Sequence, residues 1–203
     1  MMRRALVVAG LVGMVGAAGL LGGMRAPSSE VLPAAGSWNV DAVHSSVVFR
    51  IKHMNTSYFY GHFNELTGTV AYDDAKPDAG SMDLSIKIES VDTHNQNRNN
   101  HLKSASFFNA AEFPNATFKS TSWKKSGDNA FDVTGDMNIH GQTKPVTIKL
   151  EKTGQGKGQQ GEIIGFETTF TIKRSDFGIT YMPDGLSDEV KLMVSIEAKG
   201  KGG

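Results

Sequence analysis

From Trp38 onward, apolar and polar residues alternate with a period of two, the signature of strands that bury one face. In the run 47–53, Val47, Phe49 and Ile51 point one way and Arg50 and Lys52 the other. Met82, Leu84, Ile86 and Ile88 alternate with Asp83, Ser85, Lys87 and Glu89. Val146, Ile148 and Leu150 alternate with Thr147, Lys149 and Glu151, as do Val190, Leu192, Val194 and Ile196 with Lys191, Met193, Ser195 and Glu197. Segments 59–72, 116–124, 130–139 and 163–174 carry the pattern less cleanly. They add Phe63, Val70, Phe118, Phe131, Val133, Met137, Phe166, Phe170 and Ile172 to the apolar face. The spacing predicts eight strands joined by polar turns at 73–78, 126–129 and 140–142, with a Gly/Gln-rich turn over 154–161. No Gly-Lys-Ser/Thr follows that last segment, so it is not a phosphate loop. Only 97–104 reads as helical, and it predicts either a lid or a plug at one end of the fold.

A sandwich and a closed barrel both satisfy an all-β pattern. Eight consecutive antiparallel strands close into a barrel whose interior can hold one small ligand. A membrane barrel would turn apolar residues to lipid and polar ones inward. Here the face opposite the apolar set carries Arg50, Lys52, Asp83, Lys87, Glu89, Lys149, Glu151, Lys191 and Glu197, each costly against lipid. The expected barrel is therefore water-soluble with its apolar side inward. In an up-and-down barrel, connections 54–58, 92–115, 140–145 and 175–188 share one rim, which becomes the expected ligand mouth. His53 is in phase with Phe49 and Ile51, Arg174 is in phase with Phe170 and Ile172, and His101 lies on the helical segment of that rim. An inward Arg needs a partner, either an anionic head group or a carboxylate such as Asp176.

Composition narrows the functions further. The 203 residues suffice for one domain, and 21 basic against 21 acidic side chains leave no basic footprint for nucleic acid. The absence of cysteine excludes disulfides, thiolate metal sites and a cysteine nucleophile. Met1-Met2-Arg3-Arg4 followed by an uncharged run from Ala5 to Met24 predicts a signal peptide over 1–26, a linker over 27–37, a domain over 38–199 and a flexible tail over 200–203. An uncleaved membrane anchor is the alternative, weakened by Gly10, Gly13, Gly16, Gly19, Gly22 and Gly23. Six histidines show no short ligand spacing, so no metal is expected. With no Gly-x-Ser-x-Gly, no His-Glu-x-x-His and no isolated inward carboxylate pair, no catalytic residue or cofactor is expected either.

Five stretches carry a family likeness. They are Trp38-Asn39-Val40-Asp41 through His44-Ser45 to Phe49-Arg50-Ile51-Lys52-His53, and Gly61-His62-Phe63 leading to Leu66-Thr67-Gly68-Thr69-Val70. The third is Asn97-Arg98-Asn99-Asn100-His101-Leu102-Lys103-Ser104 with Phe107-Phe108-Asn109 and Glu112-Phe113-Pro114. Gly135-Asp136-Met137-Asn138-Ile139-His140-Gly141 with Lys144-Pro145-Val146, and Arg174-Ser175-Asp176-Phe177-Gly178-Ile179, complete them. In these the chain resembles the YceI-like family of exported lipid-binding proteins over nearly all of 38–199. The resemblance implies an extended lipocalin-like barrel around a polyisoprenoid, such as an isoprenoid quinone or prenyl phosphate, with mostly apolar contacts and no catalytic residues. His62 stands where the family often has Arg, and Asn99 where it often has Asp.

The expectation is then a periplasmic or secreted protein that carries, sequesters or senses a long isoprenoid lipid. Its membrane contact would be limited to lipid exchange or to an uncleaved N-terminal segment. Pairing of two barrels stays open, because alternation does not distinguish a partner surface from a solvated face. The rival expectation is a ligand-free structural or stress module with a filled core. A hydrolase, haem or metal protein using the mouth histidines is a third, which no sequence feature requires.

Overall fold

The structure is a computed structural model that describes residues 36–159 and 161–200. The expected signal peptide, residues 27–35 of the expected linker and 201–203 of the expected tail lie outside the described residues. In chain order the strand segments are β1 (Ser37–Val40), β2 (Ser46–His53), β3 (Ser57–Phe63), β4 (Leu66–Ala71), β5 (Ser81–Lys87) and β6 (Val91–Asp92). Helix α1 (Gln96–Lys103) follows. Then come β7 (Asn115–Lys125), β8 (Ala130–Ile139), β9 (Gln142–Gly158), β10 (Gly161–Lys173) and β11 (Leu186–Gly200).

These segments form one antiparallel sheet in the order β1-β4-β5-β7-β8-β9-β10-β11-β2-β3-β6, and the pairing of β1 with β11 closes it. β1 and β2 both run along β11, Trp38 opposite Gly200 and His53 opposite Leu186, so they are one strand interrupted at 41–45. β3 and β4 are likewise one strand broken at Asn64–Glu65, and β5 and β6 one strand broken by a 3₁₀ turn at Ile88–Ser90. Eight strands therefore circle the barrel in simple meander order, as the alternation predicts. Closure removes the free strand edges that an open sheet would expose.

Three local expectations are corrected. Most of the segment read as a Gly/Gln-rich turn is strand, with Gln155 opposite Ile164 and Gly156 opposite Ile163. Glycine has no side chain to show alternation, and cross-strand pairing decides the conformation there. Ile88 lies in the 3₁₀ turn rather than a strand, yet it stays buried. Gly200, placed in the tail, is the last residue of β11.

The two rims differ. One carries the connections 72–80 and 126–129 and the turn that follows β9, and next to it the barrel is filled by aromatic rings. Tyr72 meets Trp123, Phe131 and Phe166 at 6.2, 5.5 and 5.7 Å between ring centroids, and Trp123 meets Phe131 at 5.5 Å. Trp38 Nε1 donates to the Tyr72 carbonyl at 3.2 Å and ties the first strand to this plug. The other rim carries 54–56, 93–114 with α1, 140–141 and 174–185. His140 and Gly141 both have positive φ, 53° and 73°, the two-residue geometry that follows the twist of a hairpin. A Cβ on Gly141 would lie 2.5 Å from the Phe113 ring, so this turn also needs the missing side chain.

Candidate functional site

Above the aromatic plug the barrel is hollow, with a cavity of about 310 Å³. Of the apolar residues expected inside, Phe49, Ile51, Phe63, Met82, Leu84, Ile86, Ile88, Phe118, Met137, Ile148, Phe170, Ile172, Leu192 and Val194 line it. Val70, Phe131, Val133 and Phe166 do not; they are buried in the filled half of the core. The rings that cross the bore need small neighbours. Phe49 lies over Gly61, where a Cβ would approach the ring to 2.2 Å. Thr168 is a polar group in the wall, and its hydroxyl is spent on the Lys149 carbonyl at 2.7 Å. The mouth loops add Leu102, Phe107, Phe108, Phe177, Ile179 and Met182, which alternation could not have found because they are not on strands.

The polar groups at the mouth sort into two kinds. Arg174 is buried and lines the cavity, but neither a carboxylate contact nor Asp176 satisfies it. Its Nε donates to the Ser187 carbonyl, Nη1 to those of Ile179 and Tyr181, and Nη2 to those of Leu186 and, at 3.5 Å, Met182. A guanidinium has five N–H groups, so all are committed to tying the β10–β11 loop to the first residues of β11. Burial draws its pKa below the ordinary value, and the nearby charge of Asp188 opposes that shift. Asp176 is exposed and does not line the cavity. Asp188 instead accepts from Ser175 N at 2.9 Å and Ser175 Oγ at 2.8 Å.

Arg98 is the second kind. The sequence reading did not place it at the mouth, yet it lines the cavity together with His53 and His101. Its Nε donates to Thr93 Oγ1 at 2.9 Å and its Nη2 to Thr93 O at 2.7 Å, while the guanidinium sits 4.1 Å over the Phe59 ring. Two of its five N–H groups are engaged, which leaves three uncommitted, both of those on Nη1 among them. Helical spacing could have found it, since Arg98, His101 and Leu102 fall at i, i+3 and i+4 on one face of α1. That face forms a wall of the mouth rather than a plug, the plug being at the opposite end. His101 is fixed there by edge contacts to Phe107 at 5.0 Å and Tyr181 at 5.1 Å.

The helix itself is short and polar, so it depends on hydrogen bonds rather than on an apolar stripe. Asn95 caps it by accepting from Arg98 N at 3.0 Å. Buried Asn99 accepts from both Thr93 N at 2.8 Å and Thr93 Oγ1 at 2.6 Å, and its Nδ2 donates to Asp92 at 3.2 Å. Arg98, Thr93, Asn99 and Asp92 thus form one chain of donors and acceptors behind the mouth.

The mouth histidines are not gathered into a metal-ligating group. Among the described residues, Asp41, His44 and Glu197 form the group whose ligand atoms lie within 4.8 Å of one another. It lies on the barrel's outer side, because Glu197 alternates with the inward Ile196 and Ala198. The Lys199 ammonium already sits 2.9 Å from Asp41 Oδ2, which makes the group an ion-pair cluster. His44 Nδ1 lies 2.6 Å from the same oxygen. Hydrogen bonds from His44 and Lys199 hold the Asp41 carboxyl far below the usual range, and Asp41 in turn raises His44.

Against this geometry, comparisons with known proteins agree with one another. A family model described as a YceI-like domain matches residues 38–198. Protein YceI of Salmonella newport is 44% identical over 155 residues, covering 76% of this chain and 81% of the relative. The crystal structure of Burkholderia cenocepacia BcnA superposes with a TM-score of 0.73 at 27% identity, covering 79% of this chain and 99% of that one. A polyisoprenoid-binding domain from Saccharophagus degradans superposes with a TM-score of 0.65 at 17% identity, over 81% of this chain and 98% of that one, a likeness of fold.

Proposed function

The chain belongs to the YceI-like family, and on that premise we propose that it is an exported, non-enzymatic protein that holds one long isoprenoid lipid in its barrel. The observation that carries this reading is the bore: about 310 Å³, walled by apolar side chains, with Arg98, His53 and His101 among the few polar residues that line it. Removing a hydrocarbon chain from water gains roughly 0.8 kcal/mol for each CH₂. A narrow apolar bore closed at one end accepts a thin chain tail first and leaves its head at the mouth. The expected head is a quinone ring or a phosphate, both of which accept hydrogen bonds from Arg98, whereas Arg174 has no donor left to offer. The fold match to a polyisoprenoid-binding domain supports the same ligand class. The proposed compartment is the periplasm or the exterior, in keeping with the basic, then uncharged N-terminal segment.

The test is to purify the protein without harsh detergent, extract it with organic solvent and identify the extract by mass spectrometry. A prenyl lipid near one equivalent is the expected result. Repeated empty extracts, together with no binding of added prenyl lipids, would overturn the proposal.

A further inference from the structure

We propose that the open rim docks on the surface of a lipid bilayer bearing anionic head groups, an inference that rests on the carrier reading above. The large exposed apolar side chains of the described residues are Val43, Met54, Tyr58, Tyr60, Tyr181 and Met182. All but Val43 belong to the mouth loops or to the strand pair beside them. Met54, 57% exposed, sits at the tip of the β2–β3 turn. A Cβ on Gly185 would lie 2.4 Å from Met182 Cε and 3.3 Å from Met54 Sδ, so the two methionines flank the same glycine at the lip of the bore. Met182 also lines the cavity, so the exposed patch and the apolar interior are continuous.

The flank below this lip is basic and aromatic. Across β2 and β3, Lys52 is opposite Tyr58 and Arg50 opposite Tyr60, with the Arg50 guanidinium 3.9 Å over the Tyr58 ring. Lys191 of β11 is the register partner of Arg50 on the other side. Several lysines elsewhere on the barrel wall face carboxylates, Lys87 with Glu65 at 3.0 Å, Lys119 with Asp83 at 3.6 Å and Lys152 with Asp74 at 2.6 Å, though others such as Lys124 and Lys125 form no such pair among the described residues. Arg50, Lys52 and Lys191 make no such ion pair among the described residues. Glu189, two residues before Lys191 on β11, and Asp184 in the β10–β11 loop are carboxylates on that side, so the basic footprint centres on Arg50 and Lys52 of β2.

Two features select a bilayer over a protein partner. Tyrosine, methionine and long cationic side chains together suit the boundary between head groups and acyl chains, where an apolar body and a polar tip are both satisfied. The patch also opens directly into a cavity for a lipid, and a molecule insoluble in water must cross that lip from a membrane without wetting its chain.

The test uses residues 27–203, which contain every described strand of the barrel and omit the uncharged N-terminal run expected as a signal peptide, so that any binding is that of the barrel. Sedimentation is measured with vesicles of phosphatidylcholine alone and of phosphatidylcholine with a minority of phosphatidylglycerol. The expected result is binding to the anionic vesicles that weakens with salt. Each cation near such a surface is worth about fivefold in affinity, so Arg50→Glu/Lys52→Glu should lose roughly twentyfold or more. Met54→Ser/Tyr58→Ser should also release the protein. Lys124→Glu/Lys125→Glu, on exposed residues at the plugged end, changes net charge equally and should bind like the parent. None of these side chains lines the bore, so lipid extracted from each variant should match the parent. Unaltered melting would confirm that the variants are folded. Absence of binding to anionic vesicles, or rim variants that bind like the parent or no worse than the Lys124/Lys125 control, would overturn docking. Empty lipid extracts from a parent that sediments normally would sink the carrier reading instead.

Discussion

At the residue scale, side chains that look interchangeable in the sequence differ sharply in their tasks. Arg98 and Arg174 are both arginines at the mouth, but one retains free donors and the other has none. Asn99 has a local reason to be an amide: its Nδ2 donates to the Asp92 carboxylate at 3.2 Å. Asn99→Asp would put a second carboxylate there, and should cost about 1–3 kcal/mol in denaturant unfolding. An unchanged midpoint would show that the donor chain behind the mouth is dispensable. The Asp41–His44 pair predicts a pH dependence. His44, raised above 6.5 chiefly by its hydrogen bond to Asp41, contributes stability that is complete below that value and fades as pH climbs through the raised one. Asp41, held low by His44 and Lys199, keeps its contribution at neutral pH and loses it only in strong acid. The stability gap between the wild type and His44→Gln should therefore be wider in mild acid than in mild base. A gap that does not vary with pH would refute the pairing.

At the element scale, legibility followed side-chain chemistry. Where Val, Ile, Phe and Leu alternate with charged residues, as in Met82–Lys87, strand and inward face were both readable. Interruptions were not, because 41–45, Asn64–Glu65 and Ile88–Ser90 break strands through local turns that leave the buried set in phase. Nor could alternation say how deep the bore runs. Phe131 and Phe166 obey the same rule as Phe118 and Phe170, and only the convergence of Tyr72, Trp123 and Trp38 turns their end into a plug. Arg174 was readable as inward, whereas its carbonyl partners were hidden in a loop whose path the sequence does not encode by any period. Trp123→Ala tests the plug. It removes a buried ring touching three others and should cost about 3–5 kcal/mol in thermal or denaturant unfolding. A loss below about 1 kcal/mol would mean that the closed end repacks freely.

At the scale of the whole molecule, one asymmetry organises everything else: a filled end and a hollow end within a single ring of strands. A ligand that binds only the folded barrel stabilises it, by about 2.7 kcal/mol at a hundredfold excess over Kd. Stripping the proposed lipid should lower the melting temperature by roughly 5–10 °C for a domain of this length, and adding prenyl lipid back should restore it. Identical melting before and after exhaustive extraction would argue for an interior that is never occupied. The joining of β1 to β11, Trp38 against Gly200, reaches beyond the finished structure. A ribosome delivers the N-terminus first, so this circle cannot shut until Gly200 has been added to the chain. Until then the nascent chain is an incomplete fence of strands with its aliphatic side bare, and so distant a closing contact is of the kind that slows folding. Whatever chaperone meets it has that whole interval in which to keep it open.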